Sequence, residues 1–247
     1  MKARPLLDVF GAALVGSAFV ALAVLEARRP LRKRVERRVD RVPENALLGA
    51  VGALLVRGVI VPWVAATAES AFTARFALIR NLPIGAPARA AVSFLALDYS
   101  MYLWHRLNHA APPLWRFHRL HHADRDLDTT TAFRFHPGEL LASAPVRVAQ
   151  TALVGPSPRL ALVYEVCMQL ATTFHHSNLA LPAGLDRALS WAIVTPRMHG
   201  IHHSSARDEQ DSNWGGHPFV LGPPARNPSS RRAPGSVDDR PRRAGGG

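Results

Sequence analysis

The sequence predicts an all-α integral membrane protein, and two observations lead to this fold class. Apolar stretches of helical length recur along the chain, and all twelve histidines lie between His105 and His217. The 247 residues, 48% of them hydrophobic, fit one domain or one domain with a tail. The single cysteine, Cys167, excludes a disulfide scaffold, a cysteine-based zinc site and an iron–sulfur cluster.

The first apolar stretch covers residues 6–25 and is interrupted only by Asp8 and Ser17. A helix needs about 20 such residues to cross a bilayer. A signal peptide is the alternative, because Lys2 and Arg4 supply a positive start. No small-residue cleavage site is followed by a plausible mature start, so we favour an uncleaved first membrane helix.

A basic segment follows, in which residues 28–41 hold eight basic and two acidic side chains. By the positive-inside rule it lies in the cytoplasm, and we interpret it as a solvated loop that sets topology. The formal net charge of +12 also raises nucleic-acid binding. That class is disfavoured, because no aromatic or polar base readers lie nearby and the charge is divided between this segment and the C-terminal tail.

Four further apolar stretches follow the basic segment. Residues 46–68 form a second span, with Arg57 its one charge, and residues 89–107 form a third helix. Residues 140–155 and 159–176 are separated by Gly-Pro-Ser-Pro and predict a helical hairpin that crosses and returns. If the first span runs from outside to inside, each later span reverses the direction of the one before it. Every histidine cluster then lies at the cytoplasmic face.

Eight histidines form three clusters with helical spacing. Positions i, i+3 and i+4 share one helix face, so each cluster is expected to present its imidazoles to a common point. A single metal ion takes about four to six ligands, so eight nitrogen donors indicate two ions. The clusters are HRLNH with His105 and His109, HRLHH with His118, His121 and His122, and HGIHH with His199, His202 and His203.

Three more histidines lie where the chain returns to the same face. His136 precedes a proline in RFHPGE, and His175 and His176 end the last apolar stretch in FHHSN. We favour His176 over His175 as a ligand, because the serine and asparagine that follow it can orient its ring. The alternative for each of the three is a surface histidine at a helix end.

The donor set and its location narrow the chemistry. All-nitrogen ligation suits iron, copper, zinc and nickel, but structural zinc seldom needs eight histidines. Two ions held by neutral imidazoles can bind and reduce dioxygen, and the oxidant can attack an unactivated C–H bond. At a membrane face, the natural substrate for such a site is a lipid chain that enters from the bilayer.

Four segments carry a family resemblance: DYSMYLWHRLNH, WRFHRLHHADRDLDTTTAFRFHPGE, FHHSN and TPRMHGIHHS…DSNWG. Over residues 90–216 the chain resembles the sterol desaturase / fatty acid hydroxylase superfamily of membrane di-metal oxygenases. The resemblance implies a membrane anchor of about four helices with a cytosolic, histidine-rich di-iron cap. It also implies O2-dependent hydroxylation or desaturation of a lipid such as a fatty acyl chain or a sterol.

The resemblance implies a ligand set for two iron ions, with zinc as the alternative occupant. Some members of the superfamily have a further His-x3-His that ends at the position of His176, but here the earlier partner is Thr172. His136 or water is the candidate for the coordination position that this leaves open. The implied ligands are His105, His109, His118, His121, His122, His199, His202 and His203, with His176 next.

The resemblance also implies a separate electron donor. The sequence has no nicotinamide, flavin or haem-attachment motif, so a reductase, cytochrome or ferredoxin must supply electrons. We expect a bacterial inner membrane protein whose metal site faces the cytoplasm. The alternative function is a metal-binding membrane protein without redox turnover, either zinc-dependent or an inactive relic.

We divide the chain into three regions. Residues 1–88 hold the N-terminal membrane helices and basic loop, 89–216 the di-metal catalytic domain, and 217–247 a tail. With six prolines, six arginines and no apolar periodicity, the tail is expected to be disordered. It is either native or the product of a frameshift, since a one-base slip in a family-like continuation yields residues 217–223 as they stand.

Overall fold

The computed structural model describes residues 4–73, 77–204 and 209. Within these residues every regular element is helical, apart from one isolated bridge between Pro30 and Leu179, which confirms the all-α prediction. The expectations for the tail, including a frameshift at His217, concern residues outside the described part. The helices are α1 (Arg4–Arg28), α2 (Arg38–Leu55), a π-helical turn (Val56–Ile60), α3 (Val61–Thr73), α4 (Ala86–Ala110), α5 (Pro112–His122), a 3₁₀ turn (Thr131–Phe133), α6 (Pro137–Val154), α7 (Pro158–His176), α8 (Ala183–Leu189) and α9 (Pro196–His202).

The predicted helical hairpin is present as the consecutive helices α6 and α7, although these two pack mainly against other helices, such as α3 and α4, rather than against each other. Gly155 ends α6 with a φ of 66°, and a Cβ there would lie 2.3 Å from the Cβ of Ala77. Pro158 then starts α7, where the missing N–H of proline costs nothing, and the Ser157 hydroxyl accepts a hydrogen bond from the backbone N–H of Leu160. Local sequence therefore fixes this reversal.

The bundle has α6 and α7 at its centre. Helices α2 and α3 pack against α6, α1 packs against α7, and α4 packs against both. One apolar cluster joins α3 to the hairpin, and a second joins α4 to it. The clusters are Ile60, Val64, Ala68, Ala144 and Ala161, and Leu97, Val154 and Tyr164.

Two helical segments of the described chain are long and apolar enough to cross a membrane. They cover Phe10–Arg28 and Arg38–Thr73, and an 18-residue stretch within each has a mean hydropathy of 2.0. Only 6% and 17% of these two stretches are buried, and large apolar side chains such as Leu54 and Trp63 are exposed. The second segment is longer than the predicted span 46–68, because α2, the π-helical turn and α3 are continuous. An anchor of about four such helices is not confirmed, and membrane crossing by α4, α6 and α7 stays a prediction.

The basic segment is only partly a solvated loop. The guanidinium of Arg32 donates hydrogen bonds to three backbone carbonyls, of Pro196 at 3.2 Å, Ser177 at 3.3 Å and Leu127 at 3.5 Å. A Cβ on Gly200 would lie 1.9 Å from Nη1 of Arg32, so glycine is required beside it. Arg32 thus joins the start of α9, the end of α7 and the segment after α5.

Arg41 corrects the solvated interpretation further. It is 4% exposed and pairs with Asp124 at 2.7 Å and with Asp128. The amide of Asn45, one turn later on α2, donates to Asp124 at 3.0 Å and to Thr130 at 2.9 Å. A buried polar network therefore attaches α2 to the segment that follows α5.

Glu26 makes the corresponding attachment from α1. Its carboxylate is fully buried and accepts hydrogen bonds from the backbone N–H groups of Thr129 at 3.1 Å and Asn178 at 2.8 Å. Arg38 at the start of α2 pairs with the same carboxylate at 3.1 Å. Both ends of the basic segment are therefore fixed to the part of the chain that carries the histidines.

We expect Arg41→Ala to destabilise the fold by about 3–5 kcal/mol, because it leaves Asp124 and Asp128 buried without their cation. The matched control is Arg37→Ala, since Arg37 and its partner Asp40 are 80% and 65% exposed and such pairs contribute about 0–1 kcal/mol. Thermal unfolding of both variants in detergent measures the difference. Equal losses would show that the buried network carries no special share of the stability.

Candidate metal centre

Nine histidines converge as two groups at one end of the bundle. Four segments supply them, namely α4, α5, the end of α7 and α9 with the residue that follows it. Within each group the ligand nitrogens all lie within 4.8 Å of one another. The first group is His105, His109, His118, His122 and His202, and the second is His121, His176, His199 and His203.

The two His-x2-His-His motifs each divide between the groups. In α5, His118 and His122 join the first group and His121 joins the second. In α9 the division is reversed, since His202 joins the first group while His199 and the adjoining His203 join the second. The expectation that each cluster serves one common point is therefore wrong for these motifs, and only the His105–His109 pair follows it.

The nitrogens face one another at hydrogen-bonding distance. In the second group, Nε2 of His176 lies 2.9 Å from Nε2 of His121 and 3.0 Å from Nε2 of His199. In the first group, Nε2 of His202 lies 3.1 Å from Nε2 of His105. Several imidazole nitrogens that converge on one point match the donor set of a transition-metal ion.

The two groups are neighbours. The rings of His122 and His203, one from each group, stack with centroids 4.2 Å apart. In the first group, Nε2 of His118 and Nε2 of His122 are buried and have no hydrogen-bond partner among the described residues. Since unpartnered buried nitrogens are costly, the first group fits a metal ion better than an internal hydrogen-bond network, and the second group beside it offers a comparable set of nitrogens.

Burial and neighbouring imidazoles favour the neutral form of four of these rings. Burial lowers the pKa values of His121, His122, His199 and His203 well below the usual range, and neighbouring imidazoles lower them further. The rings are therefore uncharged at neutral pH. A neutral imidazole offers a lone pair to a metal, so no proton has to be displaced before binding.

Glu139, at the first turn of α6, orients one of these rings. Its Oε1 lies 2.9 Å from Nδ1 of His118, and both side chains are buried. The Nδ1–H of His118 donates to the carboxylate, which directs Nε2 toward the first group. This role of Glu139 was not predicted, because 21 residues separate it from His118 and no local spacing connects the two.

Backbone carbonyls orient two rings of the second group in the same way. Nδ1 of His176 lies 2.7 Å from the carbonyl of Thr172, and Nδ1 of His121 lies 3.3 Å from that of Arg134. Thr172, which replaces a histidine found in some members of the superfamily, thus contributes its backbone here. Both contacts leave Nε2 as the nitrogen that faces the group.

Two histidines of the predicted region lie outside both groups. Nδ1 of His136 accepts a hydrogen bond from the backbone N–H of Gly138 at 2.9 Å, so His136 caps α6. His175 is buried with its ring centroid 4.1 Å from that of His199, but it does not join the second group. His176 therefore lies in the second group of histidines, whereas His136 lies in neither group.

A cavity of 1130 Å³ begins at the histidines and runs along the bundle. Both groups reach it, through His105 and His118 and through His121, His176 and His199. The apolar wall is formed by α1, α2, the π-helical turn and α3, with side chains that include Val15, Phe19, Val56 and Ile60, and its two polar lining residues are Asn45 and Arg57. A long apolar molecule can therefore reach both groups from the interior of the bundle.

Comparison with known proteins agrees with this site. A sequence model of the fatty acid hydroxylase family matches residues 90–221, which contain all nine histidines. The chain belongs to the fatty acid hydroxylase family. The resemblance to this superfamily is thus confirmed, and the curated relatives supply more specific comparisons.

Two kinds of curated relative match. The chain is 30% identical over 118 residues to an ornithine lipid hydroxylase of Rhizobium tropici, covering 48% of this chain and 35% of that protein. It is 27% identical over 139 residues to the alkylglycerol monooxygenase of Homo sapiens, covering 55% of this chain and 29% of that protein. The chain spans about a third of the length of these relatives. No solved structure matches significantly.

We expect His122→Ala and His121→Ala each to lose about half of the bound metal, because these adjacent residues belong to different groups. His136→Ala is the matched control and should keep its full metal content, since its ring serves only as a helix cap. Metal analysis of detergent-purified protein measures all three. Loss of metal from the His136 variant alone would reverse the assignment.

Glu139→Leu should weaken the metal affinity by about 10–100-fold, as expected when the orienting partner of a histidine ligand is removed. Glu139→Gln keeps an oxygen that accepts from Nδ1–H of His118, so it should lose much less. Competition with a chelator gives both affinities. Equal effects of the two substitutions would argue against an orienting role.

Proposed function

We propose that the protein is a membrane-bound di-iron monooxygenase that hydroxylates, or desaturates, a C–H bond of a lipid. One observation carries this proposal: two adjacent groups of buried imidazoles open onto a cavity with an apolar wall. Family membership and relatives named as lipid hydroxylase and monooxygenase support lipid hydroxylation.

The residues fit two iron ions. Iron bound by the two groups would supply dioxygen activation and one-electron redox chemistry. The protein's part is to hold neutral imidazoles in place, to orient His118 through Glu139, and to exclude water from the reacting carbon. The apolar wall of α1, α2 and α3 would hold the hydrocarbon beside both groups.

A membrane location is supported by the exposed apolar faces of α1 and of the continuous helix α2–α3. At the histidine end of these helices, Arg28, Arg29, Lys33 and Arg37 are exposed. By the positive-inside rule, this end faces the cytoplasm, and in a bacterium the membrane is the inner one. An external reductase, cytochrome or ferredoxin would then reach the site from the cytoplasm, because the sequence carries no nicotinamide, flavin or haem motif.

A second candidate is a metal-binding membrane protein without redox turnover. The donor set supports this second candidate, because zinc also binds histidine nitrogen and the nine convergent residues include no softer ligand. In this candidate the same groups hold zinc, and the cavity admits a substrate for hydrolysis or stays empty of substrate.

Metal content and oxygen use distinguish the two candidates. Detergent-purified protein should contain about two irons per chain and should convert lipid to a hydroxylated or unsaturated product only with O2 and a reductant. His118→Ala and His202→Ala should abolish product formation and lower the iron content, whereas His136→Ala should do neither. Stoichiometric zinc with no reductant-dependent O2 consumption would instead support the second candidate. Lipid profiles of cells with and without the gene would then identify the lipid.

A further inference from the structure

The cavity has a polar wall opposite its apolar wall. On α7, Glu165, Gln169, Thr172 and His176 follow spacings of four, three and four, which place them on one helix face, and all four line the cavity. This polar face starts at the second histidine group and leads away from it along the helix. In a bundle with exposed apolar helices, such a polar face indicates a function beyond packing.

Helix α6 contributes a second polar face. Glu139, Ser143 and Arg147 are spaced by four residues and line the same cavity. Arg147 pairs with Glu165 across the hairpin, and its Nη2 lies 3.3 Å from the sulfur of Met168. The side chains of this pair are 8% and 13% exposed. This ion pair lies at the end of the two polar faces that is farther from the histidine groups, and its two charges neutralise each other.

Gln169 lies between this ion pair and the histidines. The Nε2 donor of its amide is buried and has no hydrogen-bond partner among the described residues. Buried amide groups are normally paired, so the missing partner indicates a ligand. Because Gln169 lines the cavity, rotation of its terminal amide presents that donor to a molecule bound there.

The chemistry of that molecule follows from the charges around Gln169. An N–H donor calls for a hydrogen-bond acceptor. Of the two arginines that line the cavity, Arg147 is already neutralised by Glu165, so an anionic group beside Gln169 would compete with a buried carboxylate for that cation. A neutral acceptor avoids this conflict, and the carbonyl of an ester- or amide-linked acyl chain is such a group.

We propose that Gln169 binds the ester or amide carbonyl of the lipid substrate and thereby sets which carbon is oxidised. This inference rests on the proposed lipid oxygenase function. Gln169 and His176 are seven residues apart on one helix, which places the carbonyl about 10 Å from the second histidine group along the axis. The hydrocarbon between these points lies against the apolar wall.

Equilibrium binding of three probes to the full, metal-loaded chain tests the subsite: methyl palmitate, palmitate and hexadecane. Wild-type protein should bind methyl palmitate more tightly than the other two. Gln169→Leu should weaken the binding of methyl palmitate about tenfold and leave hexadecane unchanged, because only the ester offers a carbonyl. The matched control is Gln150→Leu, since Gln150 is a buried amide on α6 that accepts from Ser100 and does not line the cavity.

Product analysis supplies the second measurement. With methyl palmitate, Gln169→Leu should spread oxidation over several neighbouring carbons, while its metal content stays that of wild type. Unchanged ester binding and unchanged position of oxidation in this variant would overturn the proposal, as would tighter binding of palmitate than of its ester by wild-type protein. Selective ester binding without turnover by wild-type protein would overturn the oxygenase function and leave the carbonyl subsite standing.

Discussion

Nine imidazoles packed together at one end of a helical bundle are the constraint on which the surrounding structure depends. Their nitrogens face each other at about 3 Å, and burial disfavours the protonated form of the rings. Burying an imidazole gains less free energy than burying an apolar side chain of the same volume. Contacts with the surrounding groups must therefore hold these rings in position. The fold does this with charged groups placed one layer further out: Glu139 contacts the ring of His118 directly, whereas Arg32 and Arg41 act on backbone carbonyls and on loops.

That outer layer explains why the basic segment carries so many arginines. Its exposed members satisfy the positive-inside rule, but Arg32 and Arg41 are fixed in place and join segments far apart in sequence. Arg32 spans 164 residues to reach Pro196, and Arg41 spans 83 to reach Asp124. The same segment therefore anchors the segments that carry the histidines, and under the proposed orientation its exposed charges would also set the membrane topology.

The sequence predicted the helices, the hairpin and the histidines that converge, because these depend on local patterns of hydropathy and spacing. It did not predict the division of each His-x2-His-His motif, although helical geometry contains the reason. On a helix, positions i and i+4 differ by about 40°, whereas i+3 lies about 60° to the other side. With two groups side by side, His118 and His122 therefore meet one and His121 meets the other. The roles of Glu139 and Arg32 were beyond prediction, because each acts on a residue distant in sequence.

The cavity couples substrate position to the metal groups through single rigid helices. Helix α7 ends with His176 and carries Gln169 about two turns earlier, while α6 carries Glu139 in its first turn and Arg147 about two turns later. Because each residue of a helix advances about 1.5 Å, the separation along the axis between a polar group bound at Gln169 and His176 follows from their spacing on α7. The distance along α7 between Gln169 and the histidine groups would therefore determine which carbon is oxidised, and the apolar wall would only hold the hydrocarbon in position.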